Sequence, residues 1–411
     1  MTYEAAVQEI EARGLFPKTL PSIETTKKAL ERLSLKSQID PQRVILVAGT
    51  NGKGTVSKAL QTLLMGRFQK VAFFSSPHLF QTTERINVSN QDISKKDFVE
   101  IYLKIKSECS DISLSHFEVL AVMALVYFLN KKSDYMIFEV GLGGTFDATN
   151  AIGHYWNVVT HISYDHEHVL GHDLLSIAKN KLGILGHKSA LIHGAWPQEI
   201  AHDCDSLVES LGLQQKIQAL ILDHSLSEQL DTALIIDSKS IPLKMIGARS
   251  VENFSIAWEA YRQIVPDALP SDIHLLESCL WPGRMQRLQS QDFHCPVFYS
   301  GDHNSSGIDS LKSIFSKLNY KRLFLVLSFS KNKNHEEMLE KFKELGPVKI
   351  YFSQGSFKPL EQKAYHALDS TSTYCDDPNE CLKTCLQEAN ASDVVLISGS
   401  LYLAESFRKY F

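Results

Sequence analysis

Between Ala48 and Gly66 the chain reads AGTNGKGTVSKALQTLLMG, where three glycines, a lysine and a threonine are spaced to grip a polyphosphate. Gly49, Gly52 and Gly54 let the backbone come close to phosphate oxygens. A helix starting just behind them turns free N–H groups toward the anion. Lys53 would reach the β- and γ-phosphates, Thr55 would set its hydroxyl near Mg2+, and Asn51 lies inside the same turn. In an ordinary phosphate loop Ser or Thr directly follows Lys, whereas here Gly54 intervenes. GTNGKGT therefore points away from generic kinases and GTPases.

Three further stretches carry groups suited to a nucleotide-bound cation. Ser75-Ser76-Pro77-His78-Leu79 leads into Thr83-Glu84-Arg85-Ile86. FEVGLGGTFDATN, residues 138–150, sets Glu139 at the end of an apolar run. THISYDHEHVLGHDLLSIAKNKLGI covers residues 160–184. Mg2+ keeps several waters and takes few protein ligands beside phosphates, so Thr55, Ser76, Glu139 and His166 form a workable set. His161, His166, His168 and His172 match no common zinc spacing. A functional role is expected for His166, and His168 and His172 read as solvated loop residues.

These groups need a scaffold that brings loops to one edge. RVILV (43–47), KVAFFS (70–75), YMIFEV (135–140) and WNVVTHI (156–162) read as strands. Between them lie helical patterns at 55–65, where Val56, Leu60, Leu63 and Leu64 share a face, and at 116–129. Such alternation predicts a parallel α/β sheet with ligands gathered at the strands' C-terminal ends. LWPGRMQ (280–286) marks a boundary, and a second alternation of short strands and helices follows it. The expectation is a phosphate-loop ATPase domain over 1–285 and a smaller Rossmann-like α/β domain over 286–411.

Composition fits a two-domain globular protein: 411 residues, 44% hydrophobic, 22% charged. A net charge of -5 argues against nucleic acid as a partner, and no run is long enough to cross a bilayer. The N-terminus reads as an amphipathic helix rather than a signal peptide. Seven scattered cysteines without CxxC pairs suggest reduced thiols in a cytoplasm. Cys381 and Cys385, four apart, read as half-buried structural thiols.

Taken in order, GTNGKGT, SPHL with ERI, EVGLGG with DATN, DH with LG, IA-x-x-K-x-GI, PGRMQ, HN and SGSLYL resemble the folylpolyglutamate synthase/dihydrofolate synthase family of the Mur-ligase superfamily. The resemblance runs from about residue 15 to the C-terminus. It implies an ATP- and Mg2+-dependent ligase acting on dihydropteroate or a folate. The substrate carboxylate would take the γ-phosphoryl group, and the amine of L-glutamate would displace phosphate from the acyl phosphate. It implies that Lys53 holds phosphate, that Ser76 and Glu139 ligate one metal, and that His166 lies near a second. Lys181 aligns with a lysine that is carbamoylated into a metal ligand. Asp147, Asn150 and Phe117 match positions lining a pterin pocket, and His78 and Arg85 fall in the substrate motifs. Asn253 and Arg284 match the nucleotide side. Ser300, Asp302, His303 and Asn304 form a second-domain loop expected to close over ATP. A monomer is the family expectation.

Departures from the family pattern are specific. Relatives read DGAHN where this chain has Ser300-Gly301-Asp302-His303-Asn304, so Asp302 would replace a ribose-binding carboxylate two residues along. Thr145 stands for an arginine, Asn180 for an acid, Ser250 for a glutamine, and Asn332-Lys333-Asn334 for an acidic DKD. Two other readings stay open: a Mur-type ligase acting on a UDP-linked peptidoglycan precursor, and a nucleotide-binding protein that has lost catalysis. A simple kinase fits worst, given Gly54.

Overall fold

A computed structural model describes residues 1–14, 23–236, 238–331, 333–356 and 359–411; Asn332 lies outside this set. The chain divides into two compact units, Met1–Ile221 with Glu252–Leu276, and Leu222–Val251 with Glu277–Phe411. The chain thus enters the second unit, returns, and enters it again, instead of being cut once at residue 285 as expected. The reason is local: residues 222–251 hold a sheet of their own, and one division falls inside the helix Ala248–Ile264.

The first unit is built on eight strands: β1 Val44–Ala48, β2 Val71–Phe74, β3 Ile86–Val88, β4 Gln91–Asp92, β5 Tyr135–Glu139, β6 Trp156–Val159, β7 Ala190–His193 and β8 Gln215–Gln218. Their order is β4-β3-β2-β5-β1-β6-β7-β8. All neighbours are parallel except β2–β3 and β3–β4. Central β1 pairs with β5 and β6 and is buried along its whole length, which is why VILVA is apolar at every position instead of alternating. The helix Lys53–Met65 buries Val56, Leu60, Leu63 and Leu64 completely. The helix His116–Asn130 is apolar nearly all round and sits inside the core. A reciprocal cap starts it: Ser115 Oγ accepts the Glu118 N–H, and Glu118 Oε2 accepts the Ser115 N–H.

In the second unit β9 His224–Leu226, β10 Thr232–Ile236 and β11 Lys239–Leu243 form an antiparallel meander. β12 Gln286–Arg287, β13 Val297–Tyr299, β14 Leu323–Leu327, β15 Lys349–Phe352, β16 Thr373–Tyr374 and β17 Val394–Ser398 form the other sheet. Its order is β12-β13-β17-β14-β15-β16, parallel apart from β12. This is the expected smaller Rossmann-like α/β body. Cys381 and Cys385 are fully buried on its helix Pro378–Glu388, not half-buried. Among the described residues no helix is long and apolar enough to cross a membrane.

Candidate active site

The strand-to-helix turn after β1 has the form that its glycines demand. Gly49 holds φ +144°, and an added Cβ would stand 1.9 Å from Thr160 Oγ1. Gly52, the residue capping the helix, holds φ +89°, and a Cβ there would stand 2.1 Å from Asn253 Oδ1. Only glycine fits either place. Asn253, on a helix far along the sequence, therefore abuts the loop at its tightest point. Lys53 Nζ donates to the carbonyls of Gly49 and Thr50, both at 3.2 Å. Gly54 and Thr55 are buried in the first helical turn. Asn51 bridges to His161, and its carbonyl accepts the Thr160 hydroxyl at 2.7 Å.

Lys181 reaches the same loop. Its Nζ is buried and donates to the Gly49 carbonyl at 2.9 Å. Burial pushes the amine down to about 7, the charge of Lys53 pushes the same way, and Asp165 opposes both. Its helix, Leu174–Leu182, is pinned from the side by the loop after β5. Thr145 donates its N–H and its hydroxyl to the Asn180 carbonyl at 2.9 and 3.0 Å. Asn150 Nδ2 donates to the carbonyls of Thr145 and Gly183 at 3.0 and 3.2 Å. The two departures Thr145 and Asn180 thus meet in one contact, made by a backbone carbonyl that no residue type advertises.

Glu139 is the last residue of β5, in register with Val47, and its Oε2 accepts the Ser76 N–H at 3.1 Å. It belongs to a strand end rather than a loop, and it is buried. His166 differs: it is exposed, holds φ +53°, and sits 3.9 Å from Asp165 through Nε2. A left-handed histidine is uncommon, and such backbone gathers at functional sites. Among the described residues no three His, Cys, Asp or Glu side chains group to hold a metal. A cation here would draw on hydroxyls, phosphate oxygens and water beside Glu139.

The expected substrate residues fall into two groups. His78 and Arg85 meet, the guanidinium Nε donating to His78 Nδ1 at 2.9 Å. Burial, then Arg85, then His116 push His78 down to about 3, so it is neutral and accepts. His116, likewise pushed down by burial and Arg85 to about 4, is a member of this cluster that the motifs did not reveal. Phe117 lies against Gly141 and 5.6 Å from the Phe74 ring. Asp147 and Asn150 spend their polar atoms on their own loop. Asp147 Oδ2 accepts from the N–H groups of Gly141 and Leu142, both at 3.0 Å. Its Oδ1 accepts the N–H and hydroxyl of Thr149 at 3.0 and 2.6 Å. Asn150 is tied to Thr145, Gly183 and His154. Both shape the loop first.

In the second unit Ser300 is buried at the end of β13 and donates to Asp302 Oδ2 at 2.6 Å. That bond orients Asp302. His303 Nδ1 contacts the Gly301 carbonyl at 2.8 Å, and Asn304 Oδ1 caps the helix Ser305–Phe315 through the Gly307 N–H. Arg284 lies close enough to Tyr299 to act on its phenol electrostatically.

Residues 283–401 match the model of the Mur ligase, glutamate ligase domain. The dihydrofolate synthase/folylpolyglutamate synthase of Bacillus subtilis (strain 168) is 27% identical over 393 residues, covering 89% of this chain and 90% of that protein. The enzyme of the same description from Escherichia coli (strain K12) is 28% identical over 369 residues, 87% of this chain and 84% of its own. E. coli FolC in complex with DHPP and ADP superposes with a TM-score of 0.87 at 25% identity, over 100% of this chain and 97% of the other. The chain thus carries a Mur ligase, glutamate ligase domain and is similar over most of its length to dihydrofolate synthase/folylpolyglutamate synthases. Among the family motifs, GTNGKGT and IA-x-x-K-x-GI are joined physically here, at the Gly49 carbonyl.

Proposed function

We propose that this protein is an ATP-dependent ligase that joins L-glutamate to dihydropteroate or to a reduced folate, releasing ADP and phosphate. The observation that carries the reading is the buried Lys181 amine on the phosphate loop. It brings the two family motifs together around a turn that a nucleotide's phosphates fit. The cradle left by Gly49 and Gly52 and the amide end of the helix Lys53–Met65 suit an anion.

In this reading Lys53 and the loop amides hold the phosphates, with Asn253, Arg284, Asp302 and His303 on the nucleotide side. The substrate carboxylate takes the γ-phosphoryl group, and the glutamate amine then attacks the acyl carbon as phosphate leaves. Both steps develop negative charge on oxygen, so positioning and cations supply most of the rate. A divalent cation, Mg2+ in our reading, when bound neutralises that charge; Thr55, Ser76, Glu139 and His166 would hold it or its waters. Held down to about 7, Lys181 is in part the neutral amine, the form that adds to CO2, and a carbamate there would add a carboxylate to the set. His78, Arg85 and Phe117 would face the pterin-bearing substrate.

The test is ADP release with ATP, Mg2+ and L-glutamate, comparing dihydropteroate with a reduced folate. Release that requires glutamate and vanishes in Lys53→Ala supports the ligase. No release with either acceptor would favour a protein that has lost catalysis, and release only with a UDP-linked acceptor would favour the peptidoglycan reading.

A further inference from the structure

Residues 160–163 run alongside the phosphate loop, stitched to it by backbone and hydroxyl bonds. Thr50 donates its N–H to the His161 carbonyl at 2.6 Å. The Thr50 hydroxyl donates to the Ser163 carbonyl at 2.9 Å and accepts the Ser163 N–H at 3.0 Å. Thr160 adds its bond to the Asn51 carbonyl. Ser163 is thus held at both its backbone groups by one loop side chain, while its own hydroxyl is buried with no hydrogen-bond partner among the described residues.

A hydroxyl shut away from water without a partner destabilises the fold, and native proteins keep few such groups. At this place the fold offers a reason to keep one. The hydroxyl belongs to the segment bonded side by side with the turn of Gly49, Thr50 and Asn51, where Lys53, Lys181 and helix amides already concentrate positive charge. We propose that Ser163 is a binding residue for the nucleotide, its hydroxyl donating to a phosphate oxygen seated on this loop. The proposal rests on the nucleotide reading above and adds a residue that the loop's own motif does not contain. The hydroxyl is unsatisfied in the free protein and satisfied by the ligand, so it favours the bound state specifically.

Thermal unfolding and binding titration of the full-length protein with AMPPNP and Mg2+ test it, using wild type, Ser163→Ala and Ser163→Thr. Ser163→Ala should melt at or above wild type when free. It should bind AMPPNP–Mg2+ about tenfold more weakly, with a smaller nucleotide-induced rise in Tm, as expected for loss of a bond to a charged acceptor. Ser163→Thr, which keeps the hydroxyl, should retain the nucleotide response. A Ser163→Ala protein with wild-type affinity overturns the proposal. So does one that melts lower when free yet shows an unchanged nucleotide shift, since the hydroxyl would then be structural. A wild type with no response to AMPPNP–Mg2+ overturns the nucleotide reading itself, and this inference with it.

Discussion

Lys53 and Lys181 donate to one and the same carbonyl oxygen, that of Gly49, at 3.2 and 2.9 Å. Two ammonium groups on one acceptor repel each other, and the buried partner yields: Lys181 is held down to about 7 by burial and by Lys53. An ordinary lysine is under about 0.1% neutral at pH 7. The fold therefore keeps a far larger share of Lys181 in the neutral amine form than an ordinary lysine has, and ties Lys53 to the same turn.

Lys181→Ala should lower glutamate-dependent ADP release by about 10²–10³-fold, the usual effect of losing one stabilising contact. Added formate or acetate should restore part of it, since a small carboxylate can occupy the space of a carbamate. Wild-type activity in the variant would remove Lys181 from the reaction.

Glu139→Gln keeps an oxygen that can accept the Ser76 N–H, so its Tm should stay close to wild type while turnover falls about 10²-fold or more. His166→Ala loses an exposed ring and should show the same split between stability and turnover. In both, the Mg2+ concentration for half-maximal activity should rise. Unchanged turnover in the two variants would sink the metal assignment.

The phosphate loop was legible in the sequence because its requirements are steric: glycine where Thr160 and Asn253 press in, lysine just behind. The MIF core of β5 was legible because the middle of a strand buried on both faces is apolar at every position. The meander β9–β11 was not, since HSL, TALII and KSIPL are short, polar at intervals and partly exposed. The lock of Thr145 on Asn180 left no trace either, because its acceptor is a backbone carbonyl present in every residue. Asp147 and Asn150 entered as pterin-pocket positions through the resemblance of DATN, and their hydrogen bonds were not legible there. Type does not say which N–H donors the fold will bring to a carboxylate, and here it brings three together with a hydroxyl.

That bonding sets the expectation for Asp147→Ala. The change strands three backbone N–H groups of a buried loop, and each unmet donor costs about 1–3 kcal/mol. A destabilisation of about 3 kcal/mol or more should appear in denaturant unfolding. Activity should fall through the loosened loop, and Asp147→Asn, which keeps one acceptor oxygen, should be milder in both respects. A stable Asp147→Ala protein that loses only its affinity for the pterin substrate would instead return Asp147 to the substrate pocket.

Acid sensitivity follows from the buried imidazoles, of which His193 gives the cleanest test. It closes β7, stacks on Trp196 with centroids 4.0 Å apart, and its Nδ1 lies 2.7 Å from the Gly194 carbonyl. Burial pushes it down to about 4 from an ordinary 6.5, with Lys216 adding to the effect and the Gly194 carbonyl and Asp205 opposing it. Between those values the unfolded chain takes up the proton first. The contribution of neutral His193 is therefore complete above pH 6.5 and is lost as pH falls toward 4. His193→Gln should be less stable than wild type at pH 7.5, through loss of the stack, and the gap in Tm should narrow steadily between pH 6.5 and 4.5. Protonation of carboxylates affects both proteins alike and cancels in that difference, so a gap that stays constant across the range would show that His193 does not titrate with the fold.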